Sequence, residues 1–240
     1  MANIYKILDK TSTTTMVESL KNALVEKYGD GVTIHYQNAQ YLIFSCPQIN
    51  EKVIKFMASD TTTVKIYYGD TYTSGTSVEN QIQFINTDGY LTAIHVVLGD
   101  SFIFMAINAS NTSYKSFTVV IGKTKNNRSV CFGALGYHAN ASNCTAKDVT
   151  NNREIDFLCF EGILYSGDYT PFITPLILKD YNTNIVLKQA DGTPDTIEGL
   201  YMSCYNGGLR IGEHSLFSGN DLYSINNNKT RLATSLMAEF

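Results

Sequence analysis

The sequence predicts an α+β protein, predominantly antiparallel β, with one clear amphipathic helix in its N-terminal segment. Three observations carry this reading. Thr, Tyr and Phe number 25, 16 and 12 among 240 residues, and all three residue types favour strands. The 21 Asn and 17 Gly supply residues for many tight turns. Apolar residues recur at helical spacing between residues 16 and 28, whereas most later apolar runs are short and alternating.

Taken in order, residues 2–8 suit a short first strand. Thr15 and Glu18 then have capping-box spacing, in which the Thr hydroxyl takes the Glu amide and the Glu carboxylate reaches back. Met16, Leu20, Leu24 and Tyr28 follow on one helical face, with Val17 and Ala23 beside them and Lys21, Asn22 and Glu26 opposite. Gly29 stops this helix, which is expected to lie on a sheet. Residues 32–36 and 41–46 read as a hairpin around residues 37–40, ended by Pro47. Residues 50–58 suggest a short second helix, with Asn50 as cap and Val53, Ile54, Phe56 and Met57 apolar.

From residue 61 the chain turns to β. Residues 63–68 form a strand, residues 71–77 a Ser/Thr/Gly-rich loop, and residues 78–85 a half-exposed strand before an Asp88-Gly89 turn. The most apolar stretch, residues 91–108, reads as a hairpin closed by a type II′ turn with Gly99 at positive φ. That turn pairs Leu98 with Ser101, Val97 with Phe102 and Val96 with Ile103. Alternation places His95, Val97, Phe102, Phe104 and Ala106 on one face and Ile94, Val96, Leu98, Ile103, Met105 and Ile107 on the other. Both faces are apolar, so this hairpin belongs in the middle of a sheet covered on both sides. Each such side chain contributes roughly 1.5–3 kcal/mol on burial. Residues 114–122 and 129–135, joined by Asn126-Asn127, complete a four-strand antiparallel meander.

Residues 136–152 are polar and form the expected connection between a mixed α+β unit at 1–135 and a small all-β, sandwich- or barrel-like unit at 153–240. In the second unit, strands are expected at 155–165, 172–178, 185–189, 197–204, 209–213, 222–225 and 232–240.

Charge excludes some functions. The formal net charge is −4 and no basic stripe occurs, which disfavours binding through phosphate neutralisation; no nucleic-acid partner is expected. Five Cys (46, 131, 144, 159, 204) stand singly without a CxxC, as expected of reduced thiols. The stretch MANIYKILDK lacks a charged region followed by an apolar one, so neither a signal peptide nor a membrane span is expected.

Candidate chemical residues all have plainer readings. His138, Cys144 and Cys159 come nearest to a metal set but match no zinc spacing, and no metal or cofactor is expected. Asp156, Glu161 and Asp168 cluster in sequence, and a glycosidase requires two facing carboxyl groups, yet Asp156 and Glu161 point to opposite faces of a strand. Glu213 and His214 are adjacent and diverge for the same reason, and Gly122-Lys123 lacks the glycines of a phosphate loop. His95 reads as a satisfied core histidine. No catalytic residue is assigned. The surplus lies in tyrosines, Tyr67, Tyr68, Tyr72, Tyr165, Tyr169, Tyr201 and Tyr205, a residue type suited to interfaces and sugar platforms. Contacts are expected through these and through the loops 69–77 and 136–152.

A Thr- and Asn-rich, Trp-free β composition, the start MANIYKILDK, and the stretches at 206–214 (NGGLRIGEH) and 221–226 (DLYSIN) together carry a likeness. In texture the chain resembles the small virion structural proteins of tail and neck modules in phages and prophages of Gram-positive bacteria. That resemblance implies assembly into a ring or trimer in the host cytoplasm and a place in the virion, with other virion proteins as partners and no catalysis. Two further expectations stand beside it. One is a glycan-binding receptor module or adhesin; the other is a glycan hydrolase.

Overall fold

The structure is a computed structural model that describes residues 2–87, 89, 91–109, 116–135, 138–139, 146–157, 173–203, 210–211, 215–219, 223–226, 229–231 and 235–240. Strand β1 (Ile4–Ile7) leads into helix α1 (Thr13–Tyr28). Five strands then form one antiparallel sheet: β2 (Thr33–Gln37), β3 (Tyr41–Cys46), β4 (Asn50–Ala58), β5 (Val64–Gly69) and, after the small hairpin β6 (Tyr72–Ser74) and β7 (Ser77–Val78), β8 (Ile82–Asn86). The meander follows as β9 (Leu91–Leu98), β10 (Phe102–Ala109), β11 (Ser116–Lys123) and β12 (Ser129–Leu135). Beyond it come β13 (His138–Ala139), β14 (Ala146–Asp148), β15 (Arg153–Phe157), β16 (Ile173–Asp180), β17 (Thr196–Ser203), β18 (Arg210–Ile211), β19 (Ser215–Gly219), β20 (Tyr223–Asn226), β21 (Lys229–Arg231) and β22 (Ser235–Glu239).

The predominantly antiparallel α+β class is as expected. A large sheet runs β1-β9-β10-β11-β12-β14-β15-β16-β17-β22-β19-β18, with β13 beside β12. Its hydrogen bonding continues through β14, so one sheet spans both expected units and the 136–152 connection between them. The sheet curls back on itself. Ile94, Val96, Leu98, Ile103, Met105 and Ile107 pack in one core against α1 and the five-stranded sheet. On the reverse face Val97, Phe102, Phe104 and Ala106 pack in a second core against Ile155, Leu176, Leu178, Ile197 and Leu200 of the later strands. The central hairpin is therefore a middle layer, and its two faces divide as alternation requires.

Its turn departs from expectation. Leu98 pairs with Ile103 and Val97 with Phe104, a shift of two residues that keeps every side chain on its face. Gly99 N–H bonds Phe102 O at 2.9 Å, leaving Asp100-Ser101 as the turn. Gly99 is not among the residues with positive φ, so the type II′ turn is corrected. Glycine is needed there for space: a Cβ would lie 2.2 Å from the Phe102 ring. Helix α1 fixes the turn from outside. Tyr28 Oη lies 2.9 Å from Gly99 O and 3.0 Å from Phe102 O. Lys27 Nζ lies 2.7 Å from Asp100 Oδ1.

Five other expectations are corrected. The helix is capped by Ser12, whose side chain accepts the Thr15 amide while the Thr15 hydroxyl accepts the Ser12 amide. The Thr13-Thr14-Thr15 run thus lies inside the helix, and the box uses two hydroxyls in place of Thr15 and Glu18. Residues 50–58 form a nine-residue strand, β4, not a helix. β4 is central and covered on both sides, which gives a continuous apolar run resembling a helix stripe. Its expected cap, Asn50, is fully buried and donates to Val130 O in the large sheet at 3.0 Å. The expected 71–77 loop is the β6–β7 hairpin, and the strand expected at 78–85 begins at Ile82. Of the later strands, 185–189 is reduced to isolated bridges at Val186 and Lys188.

The Thr and Asp content has a visible use. Asp9, Asp60 and Asp191 each accept both the amide and the hydroxyl of a Thr two residues on, as Asx turns do. Among the described residues, no helix is long and apolar enough to cross a membrane.

Candidate functional site

In the five-stranded sheet Ile54, Phe56 and Ala58 of β4 point into the core, so Val53, Lys55 and Met57 point outward. Register places Tyr36, Ile43, Lys55, Tyr67 and Gln83 in one row across this outer face, and Tyr41, Met57, Lys65 and Asn86 in the next. A bulge between Ile34 and Tyr36 brings His35 to the same side, where its Nε2 lies 2.9 Å from Ser45 Oγ.

The β6–β7 hairpin folds over part of this face. Its return depends on Gly69, where a Cβ would stand 2.5 Å from Val78 Cγ1 and 2.6 Å from Glu79 O. Val78 packs on Ile43 and Val53, and Tyr72 stacks on His35 with ring centroids 5.1 Å apart. Asp70, at the hairpin base, pairs with Lys52 at 2.7 Å and accepts from Asn80 Nδ2 at 2.8 Å. Lys55 Nζ donates to Thr76 O at 2.8 Å and to Gln81 Oε1 at 3.0 Å. The same ammonium lies 5.4 Å from the Tyr41 ring centroid and 5.3 Å from that of Tyr67, within cation–π range of both. Tyr41, Met57, Lys65 and Tyr67 remain half-buried beside the hairpin, forming a shelf with the hairpin as its wall.

Lys55 is only 8% exposed, and no carboxylate among the described residues pairs with it. Desolvation holds its pKa below the ordinary lysine value. Burial lowers His35 in the same way and, with the neighbouring Tyr41, raises Tyr67. The site therefore offers ring faces, amide groups and positive charge at fixed positions.

The expected residues are distributed differently. Tyr67 and Tyr72 join the outer face; Tyr68 is a core residue, its pKa pushed up to about 12 by burial. Tyr201 is half-buried on β17, and Tyr165, Tyr169 and Tyr205 lie outside the described residues. His95 is buried and its Nδ1 is 2.8 Å from Tyr5 Oη, with Tyr5 stacked on Phe240. Desolvation lowers its pKa and favours the neutral ring. His138 is on β13 opposite Leu135, and Asp156 is on β15 opposite Lys179. Cys144, Cys159, Cys204, Glu161, Asp168, Glu213 and His214 lie outside the described residues. Gly122 is a paired β11 residue, and Lys123 Nζ is bound to Pro47 O. Cys46 and Cys131 are buried free thiols. Among the described residues no group of three His, Cys, Asp or Glu could hold a metal ion.

Sequence reasoning missed Tyr36, Tyr41, Lys55 and Lys65. Lys55 had a signal: it is a charge inside the run Val53–Met57, which a strand covered on both sides must accommodate. No protein-family model matches the chain, and no curated protein matches its sequence.

Proposed function

We propose that this chain is a non-enzymatic virion structural protein of a phage, tail- or neck-associated, that works through self-assembly and contacts with other virion proteins. The observation that carries the reading is the open edge at β1. Among the described strands β1 pairs only with β9; Ile7 on it is 56% exposed, and its one charge, Lys6, is paired with Glu26 of α1 at 2.9 Å. An edge strand with an exposed aliphatic side chain is a template for another chain, and a closed ring uses such an edge once per copy. β2, at one end of the five-stranded sheet, carries neither Pro nor an Asp, Glu, Lys or Arg that would guard it. The buried charges serve as internal braces. Asp195 accepts from Thr124 Oγ1 at 2.8 Å and from the Asn126 amide at 3.0 Å, and Asp148 accepts from Asn151 Nδ2 at 2.8 Å.

Native mass spectrometry and light scattering at micromolar concentration test the reading. A single closed oligomer is expected, and Ile7→Lys should shift it towards monomer. A monomer throughout that range refutes it.

A further inference from the structure

We infer that the shelf formed by Tyr41, Met57, Lys65 and Tyr67 binds a carboxylated sugar ring, as in a uronic-acid polysaccharide. This is independent of the assembly proposal. Register pairs Lys55 with Tyr67 and Lys65 with Met57, which makes the two lysines diagonal neighbours on adjacent strands of one face. Such neighbours are roughly 7–8 Å apart, within reach of one another's long side chains. Among the described residues neither has a carboxylate partner, although the whole chain carries a net charge of −4. Two adjacent cations with no carboxylate partner among the described residues, one of them desolvated, form a local positive field that attracts an anion.

The surroundings decide which anion fits. Tyr41 and Tyr67 flank the charge and are half-buried, so each retains accessible ring surface for the C–H face of a sugar. Gln83 stands beside Tyr67 in the next strand and carries an amide suited to hydroxyl groups. The hairpin wall is clamped by Lys55 and by the Lys52–Asp70 pair, so the shelf is formed before a ligand arrives. A carboxylate on a ring lying against Tyr41 meets Lys65 at the open side and the Lys55 field at the wall. An acidic peptide would use the lysines but leave the two ring faces without a matching partner.

Isothermal titration calorimetry with tetragalacturonic acid, neutral cellotetraose and a tetraglutamate peptide tests the site. Only tetragalacturonic acid is expected to bind, with affinity falling as salt rises. Lys65→Gln, at a half-exposed position, should keep its Tm and lose affinity about tenfold, the loss expected of one charge-assisted hydrogen bond. Tyr41→Leu should weaken binding while leaving its salt dependence unchanged. Equal binding of cellotetraose or of the peptide overturns the inference, as does unaltered affinity in Lys65→Gln or no binding at millimolar ligand. The oligomer mass, read on the same samples, decides the assembly proposal separately.

Discussion

Removing the Asp100 carboxylate is expected to harm the protein more than removing its lysine partner. Lys27 Nζ and Asp100 Oδ1 are 2.7 Å apart, but the side chains differ in exposure, 1% for Lys27 and 62% for Asp100. Lys27 also donates to Ala2 O at 3.0 Å, so the pair joins β1's approach, the helix and the central turn. Asp100→Ala takes the anion from a buried ammonium. Breaking a fully buried pair this way costs about 3–5 kcal/mol, and the solvent around Asp100 reduces this to about 2–3 kcal/mol. Lys27→Met keeps the apolar stem in place and leaves the carboxylate in water, so the loss is that of a surface pair, about 0–1 kcal/mol. In a chain of this size each kcal/mol moves Tm by about 2–4 °C. Calorimetry should therefore show a fall of about 5–10 °C for Asp100→Ala and of under about 4 °C for Lys27→Met. The double variant should resemble Lys27→Met, because the stranded charge is gone. Equal losses in the two single variants, or an additive double variant, would refute this account.

Two further outcomes follow from the same geometry. Gly133→Ala would place a Cβ 2.1 Å from Phe84 O, a backbone atom of the facing sheet, whereas a Cβ at Gly31 meets nothing nearer than 3.7 Å. The first substitution should cost about 3 kcal/mol or more by urea unfolding and the second under about 0.5 kcal/mol, and similar midpoints would contradict the close approach of β8 to β12. Acid should destabilise the fold, because Asp9, Asp60 and Asp191 are held below the ordinary range by Thr hydrogen bonds and Asp70 and Asp100 by lysines. Each has a lower pKa folded than unfolded, so its contribution is complete above about pH 4 and disappears as pH falls through the folded value. A Tm independent of pH from about 5 to 2 would contradict these bonds.

The middle layer was legible in the sequence because its signal is local. Residues 91–108 and 114–135 carry alternation, a covered-face pattern and turn residues in register with one another, so faces and strand order could be read directly. The details that failed depend on partners far along the chain. The turn at Gly99 is set by Phe102 folding across it and by Tyr28 and Lys27 more than seventy residues earlier. β4 imitates a helix because one of its faces lies under β6–β7, and the segment 71–77 that supplies this cover looks like a polar loop. The helix cap moved to Ser12 because Thr13, Thr14 and Thr15 offer equivalent hydroxyls, and hydroxyl chemistry alone does not choose among them.

The outer shelf was invisible for a related reason. Tyr36, Tyr41, Tyr67 and Tyr72 come from four strands, and only strand order with register turns them into neighbours. In sequence Tyr67 and Tyr68 are indistinguishable, yet one faces the shelf and the other the core, because β5 is covered more completely inside than outside. Lys55 carries most of the information. A lysine in the central strand of a sheet is costly unless its ammonium is satisfied, and here two neutral acceptors and two tyrosine rings supply that satisfaction, with no carboxylate partner among the described residues. A scaffold requirement alone would be met by an apolar residue under Val78 and the hairpin. Retaining a charge at this point, with Lys65 diagonal to it, places the electrostatic character of the shelf in the sheet itself and not in a loop.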